Sequence, residues 1–237
     1  MPRFDAAPPV INTDALPHAE QHHAGHANAL LFMLNYYVRS FEAALQLYET
    51  AAETIAHASH AFKRDANDNA ANEALEILDG WPVIAARDGA MSIYHFRKTL
   101  EGLDACIGQL PSLHAATNRP HRKRARRVFE ARFPHFIKVR HAVAHSGERS
   151  GLAYDEHVFS GSWSNGHMTF PHANTMDITL IDVLSQRQYS NTWGNEVVSY
   201  KIDIDSLTAL ASSRDEAYLA FTASAVPLMP PGSDSSS

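Results

Sequence analysis

Arg140, His141 and His145 fall close together in the stretch IKVRHAVAHSGE, residues 137–148. Arginine is a permanent cation whose planar fork of donors matches a phosphate, and histidine titrates near neutral pH. On a helix, side chains three and four positions apart share a face. The face neighbours of Arg140 are then Phe136, Ile137, Val143 and Ala144, all apolar. This spacing predicts a guanidinium emerging from a core-facing stripe. An unpaired buried charge costs several kcal/mol. Such an arginine must reach solvent, meet a carboxylate, or face a cleft where an anion binds. His141 and His145 lie together on an adjacent face. Arg140 and His145 are about 140° apart around the axis, a gap a long side chain can lean across. A neutral histidine can take the proton of a ribose 2′-hydroxyl while a fixed cation stabilises charge growing on the phosphate. General-base catalysis is worth roughly 10²–10⁴-fold, and preorganised charge contributes a comparable factor. By spacing alone, the same residues also fit an arginine paired with an acid and a histidine capping a helix C-terminus.

Other residues could support this trio. Arg87 and Asp88 sit among Ala85, Ala86, Ala90 and Met91 in a helical stretch. Asp88 is the candidate partner for Arg140, and His95 could line the same cleft; Arg87–Asp88 could equally be an exposed ion pair. His141 and His145 also have the i, i+4 spacing of a zinc pair, with a third ligand from His95, Asp88 or the amino-terminal histidines. Alanine at 142 stands where the zinc motif H-E-x-x-H has glutamate, so neither a metal nor another cofactor is expected. The run RPHRKRARR, residues 119–127, supplies Arg122, Lys123, Arg124, Arg126 and Arg127 as candidate contacts to RNA phosphates. No aromatic residue interrupts it, so stacking of bases there is not expected.

Net charge is −6, but residues 118–149 hold ten Lys or Arg against Glu130 and Glu148. The basic field is therefore local and can attract a polyanion although the chain is acidic. At 237 residues and 45% hydrophobic content the chain can bury a sizeable core, which excludes disorder throughout. Cys106 is the one cysteine, so no internal disulfide can form, in keeping with a reducing compartment. No signal peptide is evident, and the apolar run near Leu30–Val38 is too short to span a bilayer. A cytoplasmic protein without membrane association is expected.

The elements needed to position the trio follow from periodicity. Residues 1–27, with His18, His22, His23 and His26, are expected to form a loose arm. A long amphipathic helix is predicted from Asn28 to about Phe62, broken at Asp65–Asn69. A short helix, Asn72 to Leu78, should end at Gly80, and Pro82 should start another long one, closed by Pro111. A polar loop, a basic helix, and a break at Pro134 lead to the trio. Beyond Gly147, Asn165-Gly166 signals a hairpin, and Ile178–Val183 and Glu196–Ile204 read as strands around a Trp193-Gly194-Asn195 turn. Asp205 or Ser206 should cap a last helix, Leu207–Ala223. The fold class is mainly α: a bundle of four to five helices over 28–225, a single domain with a small β-hairpin insertion at about 150–204. Residues 226–237 should form a disordered tail.

Arg140-His141-Ala142-Val143-Ala144-His145 resembles the R-x(4–6)-H signature of the HEPN superfamily, where a polar residue often follows the arginine and Ala-His-Ser-Gly is a typical ending. The layout over residues 28–149 and 205–223 is similar. The resemblance implies a helical bundle that forms a homodimer, with motif helices of two copies meeting at a cleft. It implies metal-independent endoribonuclease activity in active members, with Arg140 and His145 catalytic and His141 supporting. It also implies toxin–antitoxin or other defence roles, hence an antitoxin or other protein partner. Members without activity suggest an alternative, a non-catalytic module binding nucleotide, RNA or protein. The zinc-pair spacing keeps a metal-dependent hydrolase as a second alternative.

Overall fold

Sustained helical periodicity builds most of this protein. The computed structural model describes residues 4–62, 69–145, 159, 163–164, 169–170, 179–222 and 225–226. Among these the fold is mainly helical, with a small three-stranded sheet before the last helix. The helices are α1 (His18–Phe62), α2 (Asn69–Gly108), α3 (Pro111–Ala116), α4 (Arg119–Arg132), α5 (Phe136–Ala144) and α6 (Ile204–Leu219). No helix among the described residues is long and apolar enough to cross a membrane.

The chain gathers into two compact units. One comprises Met1–Arg39, His95–Arg132 and Thr208–Ser237; the other comprises Ser40–Tyr94 and Phe133–Leu207. Three boundaries fall inside α1, α2 and α6, where no break in composition marks them, and the fourth falls between α4 and α5 beside Pro134. In the first unit Leu31, Leu34, Phe96, Ile107, Leu113, Phe129 and Leu210 are fully buried. The rings of Phe96 and Phe129 stack at 5.8 Å. In the second, Phe41, Leu45, Ala86, Ala90, Ala142, Tyr189 and Ile202 are buried. Each large apolar side chain so enclosed contributes roughly 1.5–3 kcal/mol.

Several boundaries differ from the sequence reading, each for a physical reason. The expected loose arm carries a strand, β1 (Val10–Ile11), and the start of α1, which takes in all four of its histidines. Buried Ile11 anchors it, and the Asn28 side chain accepts from Ile11 N at 2.8 Å and donates to Ile11 O at 3.1 Å. Pro82 lies inside α2 instead of starting a helix. The lost hydrogen bond there is outweighed by the buried face Ala85, Ala86, Ala90 and Ile93 that the helix presents. Pro111 opens α3, whose Leu113 is buried, where a polar loop was expected. The N-terminus of α6 is capped by Asp203, which accepts from Ser206 N at 2.8 Å, not by Asp205 or Ser206.

Short strands β2 (Trp163–Ser164) and β3 (Thr169–Phe170) pair antiparallel around the Asn165-Gly166 signal, which itself lies outside the described residues. The tail at 227–237 also lies outside them, while β7 (Ala225–Val226) pairs with β1. The main sheet is antiparallel: β4 (Val183–Ser185), β5 (Gln188–Trp193) and β6 (Glu196–Lys201). Strand β5 escaped the sequence reading because QYSNTW has no apolar alternation. Hydrogen bonds engage its buried polar residues instead: Thr192 N donates to Leu180 O at 2.9 Å, and Asn191 Oδ1 accepts from Asp182 N at 3.0 Å. The turn after β5 has left-handed backbone at Gly194 and Asn195 (φ 54° and 62°), the geometry that matches strand twist in a two-residue hairpin. Tyr200 on β6 donates its hydroxyl to Ala86 O, and a Cβ at Gly89 would lie 2.7 Å from the Tyr200 hydroxyl oxygen. Glycine at 89 thus lets the sheet close against α2.

Candidate functional site

Helix α5 is short and starts after Pro134, which cannot donate a helical hydrogen bond. Its buried face is Val139 and Ala142, continuing from buried Phe133. Ile137 is 45% exposed and Ala144 is exposed, while Phe136 and Val143 are half-buried. The stripe of four apolar neighbours is therefore not the core-facing stripe that spacing predicted. Arg140 leaves the helix at the rim of the buried face and is itself half-buried. Residues near a helix end can lie either way because a nine-residue helix turns through few full revolutions.

The Arg140 guanidinium carbon lies 5.3 Å from the centre of the Tyr94 ring, a cation–π placement. One terminal nitrogen donates a long hydrogen bond, 3.4 Å, to His141 Nδ1. Arg140 Nε is buried without a hydrogen-bond partner among the described residues. No carboxylate among those residues pairs with Arg140. Asp88, the expected partner, is exposed, because the face of α2 that turns inward carries Ala85, Ala86, Gly89 and Ala90.

The two histidines meet a residue that sequence reasoning had assigned only to a turn. Trp193, at the end of β5, stacks on His141 at 5.5 Å and 18°, and meets His145 tilted at 5.9 Å and 32°. The imidazoles face each other at 6.2 Å and 14°. Rings stacked in this way do not converge their nitrogens on a common point, and no group of three or more His, Cys, Asp or Glu side chains among the described residues could hold a metal ion. An ion pair between Lys138 and Glu196 fastens α5 to the start of β6 beside this cluster. Burial, then the charge of Arg140, then His145 hold the His141 imidazole below the usual histidine range. A neutral His141 that accepts from Arg140 at Nδ1 carries its proton on Nε2. Its only lone pair is thereby turned to the arginine. His141 thus faces the guanidinium, while His145 stands at the C-terminal cap of α5.

The remaining candidates separate. Arg87 pairs with Asp182, which also accepts from the Tyr189 hydroxyl, so it ties α2 to the sheet instead of serving Arg140. His95 belongs to the other unit, where its ring stacks on Tyr37 at 5.5 Å. In the basic run, Arg122 (3.5 Å) and Arg126 both reach Asp104. Arg124 reaches Glu216 at 3.3 Å, beside His121 at 2.7 Å. Burial raises the Glu216 carboxyl, and the bonds from His121 and Arg124 more than reverse this, leaving it below the usual range. Lys123 and Arg127 are exposed and unpaired among the described residues. The structure thus assembles Arg140, His141 and His145 and adds Tyr94 and Trp193. Tyr94 was visible in the sequence as an apolar position of α2; only pairing of β5 with β6 brings Trp193 to α5.

No protein-family model, curated protein or solved structure matches this chain.

Proposed function

We propose that this protein is a metal-independent endoribonuclease of the HEPN-like Arg/His type. The observation that carries the reading is the half-buried Arg140 guanidinium, held by Tyr94 and His141 and met by no carboxylate among the described residues. A cation fixed in place without a counter-ion suits charge that appears only in a transition state. In the proposed reaction His145 takes the proton of a ribose 2′-hydroxyl. The 2′ oxygen bonds to phosphorus, and the bond from phosphorus to the 5′ oxygen breaks. The products are a 2′,3′-cyclic phosphate and a 5′-hydroxyl whose proton comes from solvent. Arg140 stabilises the negative charge on the phosphoryl oxygens, and Trp193 offers a ring edge against which a nucleotide can settle. Exposed Ile137, one turn before Arg140, would be covered by a second copy in the homodimer that the resemblance implies.

The test is incubation of the full chain with single-stranded RNAs in the presence of EDTA. Cleavage with cyclic-phosphate ends, lost in both Arg140→Ala and His145→Ala, is the expected result. RNA bound but left intact, with His145→Ala binding as well as the parent, replaces the nuclease by a non-catalytic binding module. Neither binding nor cleavage removes RNA from the reading.

A further inference from the structure

A pocket of about 360 Å³ opens at the start of α4, wholly within the unit that does not contain Arg140. Arg119, Arg122, Lys123 and Arg126 line it, together with His114 and Asp104. The four cations occupy positions i, i+3, i+4 and i+7 of α4, so they crowd one helix face. Like charges at these spacings oppose the helix, and one carboxylate cannot cancel them. Asp104 is shared between Arg122 and Arg126, which leaves the lining three charges positive. Arg122 Nε and Arg126 Nε are buried with no hydrogen-bond partner among the described residues. Arg119 and Lys123 are exposed and have no counter-ion among them.

We propose that this pocket binds a small oligophosphate through Arg119, Arg122, Lys123 and Arg126. Its volume lies at the lower end of the range for small-molecule sites, roughly 300–1,000 Å³. Its cations converge on one hollow instead of forming a track, and Arg124 and Arg127 of the same run do not line it. That shape fits a compact, multiply charged ligand better than an extended nucleic-acid backbone. No Phe, Tyr or Trp lines the hollow, and the one ring there is the imidazole of His114, against four cations. The pocket therefore reads phosphates. Inorganic triphosphate and the tail of a nucleoside triphosphate share that chemistry.

Calorimetric titration of the full chain at fixed ionic strength, with inorganic triphosphate, ATP and a ten-nucleotide RNA as separate probes, tests the proposal. Saturable binding of one triphosphate per chain is expected. ATP binding no tighter assigns the site to phosphate alone; ATP binding much tighter assigns it to a nucleotide. Arg119→Glu and Lys123→Glu, both at exposed positions, should weaken triphosphate binding about tenfold or more. Arg127→Glu makes the same charge change on the same helix and should alter it less than about twofold. Circular dichroism of each variant confirms its fold. Absence of saturable triphosphate binding overturns the proposal. So does an equal loss in Arg127→Glu, which would reveal only a general basic field, or RNA binding more tightly than triphosphate through Lys123.

Discussion

Arg126 on α4 reaches the Asp104 carboxylate, whereas Arg140 on α5 reaches the face of Tyr94 and the lone pair of His141. Both arginines are only partly exposed, both carry a buried, unpartnered Nε among the described residues, and both sit on short helices. The difference is the counter-ion. A carboxylate turns an arginine into a cross-link whose worth is read in stability. A ring and a neutral imidazole hold the charge in place without neutralising it, and its worth can then be read in chemistry. The density of basic residues does not distinguish the two cases. Half the cations of the richest basic run, Arg122, Arg124 and Arg126, are tied to acids, and the single arginine of the next helix meets none among the described residues.

The largest effect that bears on this contrast is expected at Arg140. Arg140→Ala should lower RNA cleavage by about 10²–10³-fold, the scale of losing one preorganised charge partner in a transition state. Its unfolding free energy in urea should change by no more than about 1–2 kcal/mol, because only a cation–π contact and one long hydrogen bond to His141 are lost. A large loss of stability accompanying the loss of cleavage would make Arg140 one more structural cation.

Asp104→Ala tests the other side. It leaves Arg122, whose side chain is only 14% exposed, and Arg126 without their shared acceptor. A stability loss of about 1–3 kcal/mol is expected from the stranded charge, read from urea melts. A change below about 0.5 kcal/mol would mean that α4 holds its arginines no more firmly than α5 does.

The helical part of this architecture was legible in the sequence wherever apolar periodicity decided it. α1, α4 and α5 all appear, as does the break at Pro134, while the two helices expected on either side of Gly80 are one continuous α2. Their ends were less legible, because they depend on partners distant in sequence. Asn28 gripping Ile11 draws the start of α1 back to His18, and Asp203 fixes the start of α6. Strand β5 was invisible because its interior is Ser-Asn-Thr, engaged by hydrogen bonds that only the folded sheet supplies. The trio was legible as residue types on one helix. Its surroundings were not: the expected carboxylate at Asp88 faces outward, and the rings that do meet the trio come from α2 and β5.

Trp193 sharpens the comparison at a smaller scale. Trp193→Ala removes the ring that meets both histidines. Aromatic pairing of this kind is worth about 0.5–1.5 kcal/mol, so cleavage should fall roughly two- to tenfold, with His145 left less well aligned. Trp193→Phe should recover most of that loss. If phenylalanine does no better than alanine, the stack does not position the imidazoles.

The smallest effect is a titration. Burial acts most strongly on His141, followed by the charges of Arg140 and His145, and all three lower its pKa. A histidine lowered on folding stays neutral where the unfolded chain has already bound a proton. The sign follows from that proton count: as pH falls from the ordinary histidine value toward the lower folded value, the unfolded state gains protons and stability declines. Nuclear magnetic resonance of the His141 ring should place its midpoint below about 6.5. Arg140→Met keeps much of the side-chain volume and removes the charge, so the midpoint should rise part of the way and remain below the ordinary value because burial persists. Lys138, which pairs with Glu196, carries its charge on the same helix, and Lys138→Met should leave the midpoint nearly unmoved. A midpoint indifferent to Arg140→Met would separate the guanidinium from the imidazole in solution. The contrast between a neutralised and an un-neutralised arginine would then lose its second member.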